Sequence, residues 1–223
     1  MQDSRPQILI ADDHPISTEG VRLLLEKSYS VIGTVADGRA MVAAAARLKP
    51  DVIVVDIGMP LLNGLDAARR VKKQLPKVKI VFLTMQDDPN LAAAALELGP
   101  VGFVLKVSAG SELLKAISAV LLGKSYLTPK LRSEDWVVMR QRAHQFSKEL
   151  TTRQRDIVQL YAEGRPVKEI AGQLNLSHKT VEFHKHHIME VFNLKSNADL
   201  VLFALKRGLI MLNPPPTQRQ KFS

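Results

Sequence analysis

Over the first 122 residues the apolar positions alternate between two periods. Short, nearly continuous apolar runs occur at Gln7–Ala11, Tyr29–Val35, Asp51–Asp56, Lys79–Leu83 and Gly102–Leu105. Stretches with helical spacing lie between them, at Pro15–Lys27, Arg39–Leu48, Leu65–Gln74, Asn90–Leu98 and Ser111–Leu122. Val52 to Val55 and Lys79 to Leu83 lack the polar alternation of a half-exposed strand, so they predict strands covered by helices on both faces. Five strands alternating with five helices predict an open, doubly wound parallel sheet. Ligands of such sheets bind beyond the carboxyl ends of the strands.

From Leu150 onward the pattern is helical throughout. Thr151 followed by Gln154 is a capping box that opens a helix reaching Glu163. Gly164-Arg165-Pro166 ends it, and proline suits the first turn of the next helix, Val167–Leu174. A tight turn at Asn175-Leu176 leads to Ser177, which caps a third helix running to Phe192. A fourth spans Ala198–Arg207 and stops at Gly208. Between the two halves runs a charged connector, in which Glu134–Phe146 is expected as a helix with Trp136, Val137 and Met139 facing one domain. The tail after Asn213 has too little to bury and is expected to be disordered. The divisions are therefore 6–124, a linker at 125–148, a helical domain at 149–212 and a tail at 213–223.

Charge separates the halves further. Residues 1–125 carry 15 basic and 13 acidic side chains, whereas residues 126–223 carry 16 and 9. The second half is thus the part drawn to a polyanion. The absence of cysteine excludes disulfides, thiolate metal sites and cysteine nucleophiles. No apolar run is long enough for a membrane span or a signal peptide, so a cytoplasmic protein without a membrane partner is expected.

The ends of the predicted strands carry the chemistry. Asp12 and Asp13 follow the first strand, Asp56 the third, Thr84 the fourth and Lys106 the fifth, so all five groups meet at one sheet edge. Three carboxylates held together repel unless a cation neutralises them, and hard oxygen ligands favour Mg²⁺. Lysine and a hydroxyl beside that ion are donors for phosphoryl oxygens. Asp56, on the middle strand, is the best placed nucleophile for an acyl phosphate. Taken singly, these residues also suit helix caps and solvated loop charges.

Ile10-Ala11-Asp12-Asp13-His14-Pro15, Asp56-Ile57-Gly58-Met59-Pro60 with Asn63-Gly64-Leu65, Leu83-Thr84 and Phe103-Val104-Leu105-Lys106 resemble a two-component receiver domain, across residues 6–124. The resemblance implies a flavodoxin-like fold and phosphorylation of Asp56 by a sensor histidine kinase. It also implies Mg²⁺ held by Asp13, Asp56 and the Gly58 carbonyl, with Asp12 assisting. Thr84 and Phe103 match the family's switch pair, and Lys106 its phosphate-binding lysine. Val107 departs from the proline common after that lysine.

In the helical half, Val167–Leu174 and Ser177–Phe192 have helix-turn-helix spacing. Val181, His184, Ile188 and Val191 fall on one face, while Lys179, Glu182, Lys185, His186 and Met189 lie opposite. Such a face suits a major groove: lysines on phosphates, Glu182 on a cytosine amino group, Phe183 on a thymine methyl. Leu150 to Arg155, Ala162-Glu163-Gly164, Lys168 to Ala171 and Leu176 to His184 resemble a LuxR-type DNA-binding domain, and the whole chain resembles the NarL/FixJ group of response regulators. Gln154, Glu182 and Pro166-Val167 depart from the usual residues. Lys168, Lys179, Thr180, Glu182, Phe183, Lys185 and His186 are the expected DNA contacts. The resemblance makes double-stranded DNA the partner, with RNA polymerase as a further candidate. The apolar run Leu200 to Leu205 predicts a dimer face containing Leu200, Val201 and Leu205. A homodimer would read half-sites about 10 bp apart.

Two other readings use the same residues. A phosphohydrolase of the haloacid dehalogenase kind would need a second acid where Gly58 stands. An adaptor whose helical domain binds protein would not be retained on random DNA. The favoured reading is a transcription regulator rather than an enzyme.

Overall fold

A computed structural model describes residues 5–131 and 150–211. The expected connector helix with Trp136 and the tail from residue 213 lie outside the described residues.

The first domain is β1 (Gln7–Ala11), α1 (Pro15–Leu25), β2 (Ser30–Val35), α2 (Gly38–Leu48), β3 (Val52–Val55), α3 (Gly64–Gln74), β4 (Lys79–Thr84), α4 (Pro89–Leu96), β5 (Val101–Leu105) and α5 (Ala109–Leu121). A short strand follows, β6 (Tyr126–Leu127). All pairs are parallel, in the order β2-β1-β3-β4-β5-β6. The sheet therefore has six strands where the apolar pattern predicts five. Two residues are too few to show a period, and β6 is held by position: Thr128 N donates to Phe103 O at 3.0 Å, and Leu127 sits opposite Phe103.

Strand alternation divides the core. Ile8, Ile10, Val52 and Val54 face the layer of α1 and α5, whereas Leu9, Ala11, Ile53 and Val55 face α2, α3 and α4. Both faces are buried, as continuous apolar strands require. Side-chain caps start three of these helices: Asp37 accepts from Ala40 N, Asn63 from Asp66 N and Asp88 from Asn90 N.

Gly64 fixes how closely α3 approaches the end of β3. A Cβ built there would lie 1.9 Å from the Asp56 carbonyl oxygen, a backbone atom that cannot step aside. Gly64→Ala is expected to lower stability by about 3 kcal/mol, at the upper end for overpacking, measured by denaturant titration.

The second domain comprises α6 (Thr152–Ala162), α7 (Val167–Leu174), α8 (His178–Val191) and α9 (Asn197–Lys206). Its expected punctuation is present. Thr151 and Gln154 form the capping box, Asn175 turns the chain at φ 52°, Ser177 caps α8, and Gly208 at φ 62° ends α9. Ile157, Leu160, Ile170, Leu174 and Val181 form one apolar cluster, and Leu150, Val158, Ile188, Leu200 and Ala204 belong to another. Leu200 is only 2% exposed and lies in that core, so it is not available to a dimer face. Consecutive apolar residues hide which stripe turns inward. The exposed member of the run is Leu202, while Val201 and Leu205 are half-buried.

Candidate phosphoacceptor pocket and nucleic-acid interface

β1 delivers Asp12 and Asp13, β3 delivers Asp56, β4 ends in Thr84, and β5 hands directly to Lys106. All five stand at the same sheet edge, and Asp12, Asp13, Asp56 and Lys106 cluster there while Thr84 ends the neighbouring strand. Lys106 Nζ lies 2.6 Å from Asp56 Oδ2 and 2.9 Å from Asp12 Oδ2. Asp12 also accepts from Ser17 Oγ at 2.6 Å and from His14 N at 2.9 Å, while Gly58 N donates to Asp56 Oδ1 at 3.2 Å.

The two buried acids are driven apart electrostatically. Burial pushes the Asp56 carboxyl up, and Lys106 only partly opposes it. Burial also acts on Asp12, but hydrogen bonds from Ser17 and Lys106 outweigh it and hold that carboxyl down. The Lys106 ammonium is opposed by burial, yet Asp56 and Asp12 raise it above the ordinary lysine range. It therefore stays charged between them.

Ligand atoms of Asp12, Asp13, His14 and Asp56 lie within 4.8 Å of one another. Asp13 Oδ1 is buried, makes no well-aligned hydrogen bond and faces the His14 ring nitrogen, an arrangement suited to a cation. The oxygen-rich donor set fits a hard ion such as Mg²⁺. His14, to which the sequence reading gave no role, places Nδ1 3.0 Å from Asp13 and 3.2 Å from Asp12. Its only clue in the sequence was adjacency to the acidic pair.

Thr84 and Phe103 are both fully buried. Thr84 Oγ1 accepts from Gln86 N at 3.2 Å, and α4 is capped by Asp88, so Thr84 is not a helix cap. The Phe103 ring packs at a tilt against Phe82, with centroids 6.3 Å apart. Three apolar side chains close after pocket residues face solvent: Ile16 at 91%, Met85 at 66% and Val107 at 80% exposure.

On α8, Lys179, Glu182, Phe183 and His186 are exposed, with Phe183 at 67%. Val181 and Ile188 are buried and His184 half-buried, as predicted, but Val191 is exposed. Lys185 and Met189 are half-buried rather than fully outward. The Lys185 ammonium lies 4.7 Å above the Tyr161 ring, and the Tyr161 hydroxyl donates to Glu182 Oε1 at 3.0 Å. Burial, then Glu182, pushes the tyrosine hydroxyl far up, so it remains a donor. Thr180 is half-buried, and its hydroxyl is 2.8 Å from that of the cap, Ser177. Lys168 is exposed on α7.

The two domains meet in a contact that the sequence pattern does not announce. Gln159 on α6 is buried against the loop between β3 and α3. Its Oε1 accepts from Asn63 N at 2.9 Å and from Asn63 Nδ2 at 3.3 Å, and its Nε2 donates to Met59 O at 3.2 Å. Glu163 accepts from Leu61 N at 3.1 Å, and Asp156 pairs with Arg70. Burial raises both Asp156 and Glu163. Leu61 sits at φ 65°, a left-handed conformation unusual for a branched side chain, and packs against the core cluster of α6 and α7. Met211 covers Gly58, where an added Cβ would stand 2.5 Å from its sulfur.

The model of the response regulator receiver domain matches residues 8–118, and that of the bacterial regulatory proteins of the luxR family matches residues 148–204. The oxygen regulatory protein NreC of Staphylococcus epidermidis is 36% identical over 215 residues, covering 92% of this chain and 99% of NreC. The response regulator RcsB of Salmonella typhimurium is 28% identical with a TM-score of 0.63, covering 91% of this chain and 98% of RcsB. A structure of two RcsB dimers bound to two parallel DNAs matches at 30% identity and a TM-score of 0.54, covering 90% and 98%. With relatives matched along nearly their whole length and both family models in sequence order, the chain belongs to the NarL/FixJ-type two-component response regulators, a receiver domain followed by a LuxR-type DNA-binding domain.

Proposed function

We propose that a sensor histidine kinase transfers a phosphoryl group to Asp56, and that this transfer controls how the LuxR-type domain, residues 149–212, engages promoter DNA. The receiver is assigned to 6–124, with β6 extending its sheet into the segment 125–148 that links the two domains. The observation that carries this reading is the buried Asp56 carboxylate beside Lys106, within an oxygen cluster of three acids. Asp56 supplies the oxygen that bonds to phosphorus as the bond to the kinase imidazole breaks. Asp13, Asp56 and the Gly58 carbonyl, with Asp12 assisting, are the residues that would hold Mg²⁺, which when bound offsets charge on the phosphoryl oxygens.

Lys106 pairs with the transferred group. Thr84 exchanges its bond from Gln86 N for one to a phosphoryl oxygen. The new group brings about −1.5 to −2 charges and three acceptors, and the Phe103 ring moves into the space Thr84 leaves. The exposed Ile16, Met85 and Val107 offer the kinase an apolar rim around the pocket.

Lys168, Lys179, Thr180, Glu182, Phe183, Lys185 and His186 are the assigned DNA contacts. The RcsB dimers on DNA support pairing of two copies on neighbouring half-sites, with Val201, Leu202 and Leu205 at the face between them. RNA polymerase is a further candidate partner, and the cytoplasm is the proposed compartment. Among the described residues no helix is long and apolar enough to cross a membrane.

Affinity for a mixed-sequence duplex is expected to fall steeply with salt. Three or four neutralised phosphates give a log–log slope of about −3. Fluorescence anisotropy across a salt series measures it, and a flat response would favour a helical domain that binds protein.

A further inference from the structure

On α8 the exposed residues Lys179, Glu182, Phe183, His186, His187 and Glu190 step through the helix at i, i+3, i+4, i+7, i+8 and i+11, and so share one face. With its imidazoles neutral, this face sets one lysine against two glutamates. That is a poor surface for phosphates. Lys185 reaches a phosphate only by swinging its ammonium away from the Tyr161 ring, over which it lies here. Histidine can change the sign: four of the six in the chain stand at positions 178, 184, 186 and 187.

The acids on the neighbouring elements are engaged elsewhere. α6 brings Tyr161, whose hydroxyl is committed to Glu182. α7 brings exposed Lys168 and Glu169, the latter paired with Arg165 at 3.5 Å. Beyond the far end of α8, Asp199 accepts from Lys195 N and Ser196 N, and Arg207 lies over the Phe192 ring. On α8 itself, His178 is exposed at the first turn and His184 is half-buried edge-on to Phe183. The His187 ring lies parallel to Phe183, with 2° between planes and 6.2 Å between centroids. Among the described residues, no carboxylate forms an ion pair with any of the four imidazoles.

We propose that His186 and His187 contact DNA phosphates as imidazolium ions, so that this chain takes up protons from the buffer when it binds DNA. Histidine is the side chain whose ordinary titration falls between pH 5 and 8, and a nearby phosphate favours its charged form. Taking up both protons turns a face of net −1 into one of net +1. The inference rests on α8 being the DNA-reading helix, and it adds His187 and the proton to that reading.

The test is the affinity of the full chain for a mixed-sequence duplex between about pH 8 and about pH 6 at constant ionic strength. Wild type is expected to bind about tenfold more tightly at the acid end, with a salt slope steeper by about 1 to 2. In the exposed double variant His186→Gln/His187→Gln the pH effect should shrink below about twofold. Asp156, Glu163, His14, His178 and His184 are common to both chains, so the difference isolates the two replaced rings. A pH-independent wild type that still binds DNA overturns proton uptake. A variant that keeps the tenfold effect overturns the assignment to these two histidines. Failure of both chains to bind DNA at any pH overturns the reading of α8 itself. Circular dichroism showing unchanged helix content in the variant keeps the comparison valid.

Discussion

Asp56→Asn abolishes labelling by a small phosphodonor in Mg²⁺, to below about one per cent of the wild-type rate. The carboxamide is nearly the same size as the carboxylate, and Lys106 keeps Asp12 as a partner at 2.9 Å. The pocket therefore survives while the nucleophile is lost. Phosphate-affinity electrophoresis or intact mass gives the labelled fraction directly. The control is the buried neighbour: Asp12 is held down by Ser17 and Lys106, whereas burial pushes Asp56 up, so the two acids are not equivalent. Labelling of the Asp56→Asn variant at the wild-type rate would move the acceptor to Asp12 or Asp13 and remove the basis for a switch through Thr84.

What could be read from the sequence follows from which forces are local. The apolar run of Ile8 to Ala11 and that of Val52 to Val55 set strands and their burial, because each strand meets helices on both faces. The pocket was legible for the same reason: a parallel sheet brings its strand ends to one edge, so Asp12, Asp56, Thr84 and Lys106 had to meet. The caps at Thr151 and Ser177 are likewise local and formed as expected.

Where the outcome depends on contacts between distant segments, the pattern fell short. Leu200 reads like its apolar neighbours, and only packing against Val158 and Ile188 turns it inward. β6 exists because Phe103 offers Thr128 a carbonyl, which a two-residue strand does not announce. Gln159 looks like any polar position of a surface helix until the loop at Met59–Asn63 is laid against it.

That loop is where the second large effect is expected: Gln159→Ala separates the two domains. The substitution leaves the Asn63 N–H and the Met59 carbonyl without their partner, in an interface where Gln159 itself is buried. Unsatisfied buried groups cost about 1–3 kcal/mol each, so a net loss of about 2 kcal/mol moves the closed-to-open ratio roughly 30-fold. Leu61 reinforces the shift, because its left-handed backbone is held by Glu163 and by packing that exist only in the closed form.

Closure leaves the outer face of α8 exposed but sets the receiver against Gly208 and Met211, just past α9, where a second copy would approach. Opening should therefore act on paired binding more than on single contacts. Small-angle scattering is expected to give a larger radius of gyration for the unphosphorylated variant, and DNA titration a more cooperative curve than wild type. Alanine is a strong helix former at this position of α6, so the thermal unfolding of the helical domain should change little. An unchanged radius together with an unchanged binding curve would mean that the loop carrying Gly58 and Leu61 is not what holds the domains closed.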